Sequence, residues 1–344
     1  MKCMKRISKH DITLIFNRPD PAKGGIPRYT YELIKRIPSN HIDMTPVFGK
    51  TILQKTYNVL FKRRPYFLKH INLISKVNHF LQPELFFNIR GVTKIVTIHD
   101  LVILYGLRDV HNLYEMARKI LLTKRFKDAL KNADFFFADS EQTKNELVEF
   151  GIDSSRIKVV NLGVDNKFRL IKPYRKRKNF IGYIGSFNPR KRVDKLLYDW
   201  RENFDQLKKF KLILHGWGGS QFSSLFNKFN NKFNIFFGGI LPEFKIVNFL
   251  NSLKAFVFPT KYEGFGLPIL EAVACATPCF VYKDAKISEE VRKYAIEIES
   301  VAEIPGILEK IDEKELIKKS KKVKKEFRWE KTVKEIMDVY KKFM

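Results

Sequence analysis

The chain has 344 residues and a mass of 40.6 kDa, with 44% hydrophobic and 30% charged residues. That apolar content suffices for a substantial core in about two domains. A formal net charge of +28 and three cysteines exclude an acidic solvating chain and a disulfide-stapled miniprotein, and leave nucleic acid, an anionic membrane or a phosphorylated small molecule as partners.

The basic excess is shared evenly, +14 in residues 1–170 and +14 in the rest, which argues against one dedicated nucleic-acid domain. No zinc-finger or helix-turn-helix pattern accompanies it, so no specific nucleic acid is expected. Much of the Lys excess reads as codon bias on a solvated surface. Cys275 and Cys279 have no neighbouring His or second Cys pair, so they read as small buried hydrophobes in a reducing compartment. The start of the chain has charge but no apolar run after it, so no secretory signal is expected. No run approaches the roughly 18 apolar residues of a membrane span. The expected location is the cytoplasm.

In chain order, Ile12–Phe16 reads as a strand. Gly24 and Gly25 follow a polar loop, and Tyr29 to Ile37 has helical spacing. From Met44 to Pro83 there are seven Lys/Arg and no Asp or Glu, with Tyr57, Phe61, Tyr66, Phe67 and Ile71 interleaved. This segment predicts one or two basic amphipathic helices. They are either an ordinary surface pair or a contact with an anionic membrane, peripheral on its inner face. Lys94 to Ile98 is a strand that runs into His99-Asp100. Asp134–Ala138 and Ile157–Asn161 are further strands. Ile171 to Asn179 holds a Pro and five basic residues without a strand or helix pattern, and reads as a linker.

Beyond it, Phe180–Ile184 is a strand followed by Arg190 and Lys191, two cations suited to a diphosphate. Lys211–Leu214, Ile235–Phe237 and Ala255–Phe258 are the next strands. After Phe258 comes PTKYEGFGLPILE. Gly264 and Gly266 permit a tight turn, and Pro268 suits the start of a helix. The N–H groups around Phe265, Gly266 and Leu267 would then form an anion site at a helix N-terminus. Glu263 precedes the turn, and Glu271 is expected in the first helical turn. Pro278–Tyr282 is one more strand. Short Ile/Val/Phe-rich strands alternating with helical patterns predict parallel sheets covered by helices on both faces. No His, Cys or carboxylate spacing marks a metal site.

The Glu263-to-Glu271 stretch and its continuation, EAVACATP, resemble the E-x7-E signature of family-4 retaining glycosyltransferases. Gly182–Lys191, Gly24–Tyr29, Thr97–Leu101 and the closing Phe327–Thr332 resemble other segments of that family in the same order. Two departures are Ala276, where the family usually has Gly, and Ser186, where many relatives have Arg. The resemblance implies the GT-B fold, an α/β architecture of two Rossmann-like doubly wound domains facing across a cleft. It implies an acceptor-side domain over 1–170, a linker over 171–179, a nucleotide-sugar domain over 180–326, and a final helix over 327–344 that crosses back.

The implied activity is transfer of a hexose from a nucleotide diphosphate sugar to a hydroxyl of a glycan or lipid-linked acceptor. Retention and no metal or cofactor are expected. Glu263 is implied on the donor sugar and Glu271 on the ribose. Arg190, Lys191, Gly24, Gly25, Phe265, Gly266 and Leu267 are implied around the donor phosphates. His99 is implied near the sugar, although a strand-end His commonly bonds backbone instead. A GT-B sugar-nucleotide epimerase and a non-catalytic basic binding protein are the alternative readings.

Overall fold

The structure, a computed structural model, describes residues 8–20, 24–45, 67–105, 113–218 and 222–344. Its strands fall into two six-stranded sheets. The first contains β1 (Ile12–Phe16), β2 (Asn40–Asp43), β3 (Val77–Phe80), β4 (Thr93–Ile98), β5 (Phe135–Ala138) and β6 (Ile157–Val159). Their order is β2-β1-β3-β4-β5-β6, and every pairing is parallel. The second contains β7 (Phe180–Ser186), β8 (Lys211–Trp217), β9 (Ile235–Phe237), β10 (Ala255–Val257), β11 (Cys279–Tyr282) and β12 (Ile296–Ile298). Its order is β12-β11-β10-β7-β8-β9, again all parallel.

The main helices are α1 (Gly25–Arg36), α2 (Leu113–Asn132), α3 (Glu141–Glu149), α4 (Val193–Glu202), α5 (Phe222–Phe229), α6 (Glu243–Ser252), α7 (Leu267–Ala274), α8 (Glu313–Glu326) and α9 (Trp329–Tyr340). One compact unit holds β1, residues 26–161 and residues 330–344. The other holds Leu162–Trp329 together with Gly24 and Gly25. Both strand orders reverse direction once. In the first sheet the reversal lies between β1 and β3, and in the second between β7 and β10. Loops leaving the carboxyl ends of the strands on either side of a reversal diverge, and they leave a crevice where ligands bind.

Parallel strands covered on both faces should be apolar throughout, and β1, β10 and β11 are buried at every residue. Strand β3 is the instructive exception. Its sequence, VNHF, is equally buried but half polar. The Asn78 side chain donates to the Ser75 carbonyl at 2.7 Å, and the His79 ring nitrogens lie 2.7 Å from Thr97 Oγ1 and 2.5 Å from Tyr340 Oη. These local partners are what let two polar groups sit inside a sheet.

The expectation of amphipathic helices from Met44 to Pro83 is therefore corrected over Val77–Phe80, which is a strand between β1 and β4. Residues 46–66 of that segment lie outside the described residues. Within its described part, Phe67 packs into the core while Leu68 and Ile71 are exposed.

The composition-based linker is also corrected. The second unit begins at Leu162, ahead of Ile171–Asn179. That stretch is pinned down: Asn251 Oδ1 accepts from the Ile171 and Lys172 N–H groups at 2.7 and 3.2 Å. Arg177 is buried, and its guanidinium donates to Thr277 Oγ1 (2.6 Å) and to the carbonyls of Cys275 (2.8 Å), Leu253 (3.2 Å) and Lys172 (3.2 Å). Burial lowers its pKa to about 10, so it remains charged at neutral pH. At the far end of the unit, the Val164 N–H donates to the Phe327 carbonyl at 3.0 Å. Gly163 makes this closeness possible. A Cβ there would stand 2.3 Å from the Trp329 backbone nitrogen.

Arg177→Ala should strand the buried Leu253 and Cys275 carbonyls and remove one partner each from the half-buried Lys172 carbonyl and from Thr277, which keeps its bond to Leu250. The expected cost is about 3 kcal/mol or more. Differential scanning calorimetry should show the transition of the second unit falling by several degrees, and an unchanged transition would contradict this account.

Candidate active site

The reversal point of the second sheet gathers charge. Two loops leave it, one after β7 and one after β10. The first closes with a single turn, Pro189–Lys191, whose Asn188 cap accepts from the Lys191 N–H at 3.2 Å. The second runs from Phe258 to Gly266. Hydrogen bonds lace the two together, with the Lys261 N–H donating to the Arg190 carbonyl at 2.8 Å and the Arg190 side chain donating through Nη1 to the Tyr262 carbonyl at 2.6 Å. A one-residue bridge between Tyr262 and Lys286 holds the second loop from its other side.

Between them sits the Glu263 carboxylate. Its Oε1 lies 2.5 Å from Lys191 Nζ and 2.9 Å from Arg190 Nη1, and it accepts from Thr260 Oγ1 at 2.7 Å. The Glu263 side chain is 12% exposed. Burial alone would raise its pKa. Arg190 and Lys191 outweigh that and hold it at about 2. Glu263 is thus an ionised acceptor at any working pH. The Lys191 ammonium also stands 4.7 Å from the centre of the Phe258 ring. The two cations expected on a diphosphate therefore already have a resident counter-anion.

Arg192, which the sequence reading passed over, ties this corner to the next loop. Its backbone is left-handed, with φ of 48°. It chelates Asp284 at 2.6 and 2.9 Å and donates to the Pro259 and Thr260 carbonyls, both at 2.9 Å. Four bonds from one side chain offset the strain of that conformation. Ser186, where the family often has Arg, accepts from Asn188 Nδ2 at 2.7 Å and so braces the turn.

Helix α7 follows directly. Gly266 precedes it with φ of 107°, a region that favours glycine, and its α-carbon faces Ile287 and Val291 closely. The first helical residue is Leu267, with Phe265 buried just before the turn. Glu271 is therefore one turn further in than expected, which removes the helix-dipole explanation for a carboxylate there. It is the one charged residue of a helix otherwise made of apolar residues and Pro268, and it is buried. A buried carboxylate in an apolar helix makes Glu271 a candidate functional position.

Of the other sequence-predicted residues, His99 belongs to the N-terminal unit, while Gly24 and Gly25, at the start of α1, are grouped with the second. Gly24, with φ of 124°, and Gly25 stand at the start of α1, and a Cβ at either would meet nothing within 4 Å. His99 leaves the end of β4 and is buried. Its Nδ1 is 2.7 Å from Asp139 Oδ2 and its Nε2 is 3.0 Å from the Leu81 carbonyl. A carbonyl and a carboxylate only accept, so both ring nitrogens are placed to donate, an arrangement that favours the imidazolium form of His99.

Burial pushes the His99 pKa down, but the Asp139 charge and these bonds push it further up, so it ends raised. Asp100 adds to this from the same loop, and the Tyr29 ring meets the imidazole edge-on at 5.0 Å. Both His99 nitrogens are thus engaged inside their own unit. Asp139 was missed because one acid before a Ser helix cap reads as ordinary surface charge. His79 shows the opposite response, lowered to about 3 first by burial and then by the His99 charge. Among the described residues, no group of three or more His, Cys, Asp or Glu could hold a metal.

Comparison with known proteins assigns the class. The family described as "Glycosyl transferases group 1" matches residues 165–341, more than half the chain, and "Glycosyltransferase Family 4" matches residues 9–168. The chain belongs to the group-1 glycosyltransferases, and it is a glycosyltransferase of the GT-B fold.

Among its relatives is the O-antigen chain mannosyltransferase B of Escherichia coli, 23% identical over 298 residues, covering 74% of this chain and 77% of that one. Among solved structures, sucrose-phosphate synthase from Thermosynechococcus elongatus aligns with a TM-score of 0.71 at 18% identity, covering 97% of this chain and 98% of that one. HepE of Anabaena, solved in complex with UDP and glucose, aligns with a TM-score of 0.67 at 13% identity, covering 96% and 99%.

Two predictions test the electrostatics. The folded pKa of Glu263 is depressed, so its stabilisation is present above the unfolded value of 4.5 and is lost as pH falls toward about 2. Glu263→Gln should therefore be less stable by on the order of 3 kcal/mol near neutral pH, with the difference vanishing near pH 2. Denaturant titrations at several pH values measure this. The folded pKa of His99 is raised, so its contribution is complete below 6.5 and is lost as pH climbs through the folded value. Asp139→Asn should cost about 3 kcal/mol as a broken buried pair. It should also lower the His99 titration midpoint seen by NMR, and an unmoved midpoint would show that Asp139 does not hold the proton.

Proposed function

We propose that this glycosyltransferase moves a hexose, with retention at the anomeric carbon, from a nucleotide diphosphate sugar to a hydroxyl of a glycan or lipid-linked glycan. The observation that carries the reading is the Glu263 carboxylate held by Arg190, Lys191 and Thr260 at the reversal point of the second sheet. A fixed, ionised acceptor suits sugar hydroxyls, which donate to it and are oriented by it. We assign it as a sugar-binding group and not as a nucleophile. The name of the E. coli relative makes mannose the first sugar to test.

When the bond from the anomeric carbon to the diphosphate breaks, negative charge grows on the departing oxygen. Arg190 and Lys191 lie within reach of Glu263 and can share their charge between it and that diphosphate. The N–H groups at the start of α7 add a second anion-binding element. Together they give leaving-group stabilisation that does not depend on a metal. Glu271, buried in the second turn of α7, is assigned to the ribose. Gly24 and Gly25 offer open backbone at the start of α1, which suits a phosphate. His99 acts as a positioning residue through its charge, with Asp139 as its counter-anion. The reaction belongs on the cytoplasmic side, where nucleotide sugars are available.

Thermal shifts with a panel of nucleotides and nucleotide sugars should single out one base, with a rise following RT ln(1 + [L]/Kd). With that donor, Glu263→Gln and Lys191→Ala should each lower transfer by at least about 100-fold, the scale of a lost transition-state contact. Near-wild-type transfer by either variant would remove the site. Activity should survive EDTA, and anomeric configuration read by NMR of the product should match the donor.

A further inference from the structure

The first sheet also reverses its strand order, between β1 and β3, so the carboxyl ends of these strands open a crevice of their own. One residue past β1 stands Asn17, and two past β3 stands Gln82. Both are half-buried. Asn17 Nδ2 donates to Gln82 Oε1 at 3.0 Å, so a pair of carboxamides spans the point where the two strands part.

A carboxamide carries one accepting oxygen and one donating nitrogen. The bridge uses the nitrogen of Asn17 and the oxygen of Gln82. What remains is Asn17 Oδ1, which is buried and accepts no hydrogen bond among the described residues, and Gln82 Nε2, which makes none there either. Turning both amides over exchanges the roles and still leaves one acceptor and one donor. An unmet buried oxygen carries a free-energy cost that a donating ligand removes.

The backbone on both sides is fixed. The Leu81 N–H donates to the Ile15 carbonyl at 3.0 Å, and the Leu81 carbonyl lies 3.0 Å from His99 Nε2, which holds the residue before Gln82. The Arg18 N–H donates to Asp43 Oδ1 at 3.2 Å and Arg18 Nε to Asp43 Oδ2 at 3.0 Å, which holds the residue after Asn17. The freedom left is in the amide itself. Rotation about the Asn17 χ2, a broad torsion, brings Oδ1 to a group held at Gln82 Nε2.

One uncharged acceptor beside one uncharged donor matches a ligand group that is both, an alcohol. It does not match a phosphate, whose oxygens would face Asn17 Oδ1 with no hydrogen between them. We infer that Asn17 and Gln82 form a saccharide subsite in the N-terminal unit, which selects the acceptor glycan by its hydroxyls. A sugar hydroxyl accepts from Gln82 Nε2, and it or its neighbour on the ring donates to Asn17 Oδ1. Assignment to the acceptor rests on the proposed transfer reaction, in which Glu263 of the second unit holds the donor sugar. A site that hydrogen-bonds a hydroxyl rejects the analogue lacking it, so the pair determines specificity.

The test is saturation-transfer NMR of the full chain with the methyl α-glycosides of mannose, glucose, galactose and N-acetylglucosamine, without nucleotide. The wild type should bind at least one of them. Gln82→Glu keeps an oxygen for Asn17 Nδ2 and removes the pair's remaining donor. The bridge survives, so the melting temperature should stay the same while the dissociation constant rises at least about tenfold. Gln82→Met, which adds no charge, should weaken binding as much. With that glycoside as acceptor and the donor found by thermal shift, Gln82→Glu should raise the acceptor KM by the same factor. Its kcat and its hydrolysis of donor without acceptor should be unchanged.

Wild-type affinity in both Gln82 variants would overturn the proposal, as would failure of the wild type to bind any of the glycosides. A change in donor hydrolysis or in the donor-induced thermal shift would assign the pair to the donor and overturn it as well. Glycoside binding is measured without nucleotide, so its failure leaves the transfer reading standing.

Discussion

The second unit is organised around the cost of keeping one carboxylate ionised where little water reaches it. Glu263 meets that cost with two cations and a hydroxyl, and each of those groups must itself be held. Arg190 and Lys191 come from a capped turn after β7. Thr260 and Glu263 come from a loop pinned by backbone bonds to Arg190 and Lys286. Arg192 accepts a left-handed backbone so that its side chain can fasten the same corner to Asp284. The reversal of strand order between β7 and β10 is what brings these two loops together. Charge compensation and sheet topology are thus parts of one constraint: the carboxylate is affordable only where two loops converge.

The N-terminal unit solves a similar problem with a different chemistry. His99 is made a cation by being given two acceptors, while His79, deeper in the sheet, is kept neutral between Tyr340 and Thr97. Tyr29 reaches the same Thr97 hydroxyl at 2.8 Å, so helices α1 and α9 and strands β3 and β4 share one buried polar chain. Two histidines in one unit are therefore driven to opposite protonation states by the groups opposite their nitrogens.

Nine of the twelve strands among the described residues were legible in the sequence, because apolar β-branched and aromatic runs bounded by polar loops identify buried parallel strands without further help. The three that were not share a physical reason. Strand β2 is an edge strand of sequence NHID, β12 is an edge strand of three residues, and β3 hides its polar residues by satisfying them locally. The site was legible where its chemistry is local in sequence, as with Glu263, Gly266 and the Arg190-Lys191 pair. It was illegible where a partner arrives from far along the chain. Asp139 lies 40 residues from His99 and Asp284 lies 92 from Arg192, and neither sits in a pattern that singles it out. The linker was misread for the same reason: its bonds run to Asn251, Cys275 and Thr277, which no local composition reveals.

The return of α9 to the first unit carries a consequence for how the protein comes into being. Tyr340 supplies the hydroxyl that His79 Nδ1 meets, and Thr332 Oγ1 donates to the Asn161 carbonyl at 2.7 Å. Leu162–Trp329, nearly all of the second unit, is inserted between Asn161 and Glu330. During synthesis the N-terminal sheet therefore lacks one partner of a buried histidine, the Tyr340 hydroxyl at His79 Nδ1, until residues 330–344 are made, while Thr97 already meets its Nε2. The second unit, whose two ends meet at Gly163 and Trp329, has no such dependence. The order of synthesis and the order of completion are then opposite: the segment made first is finished last.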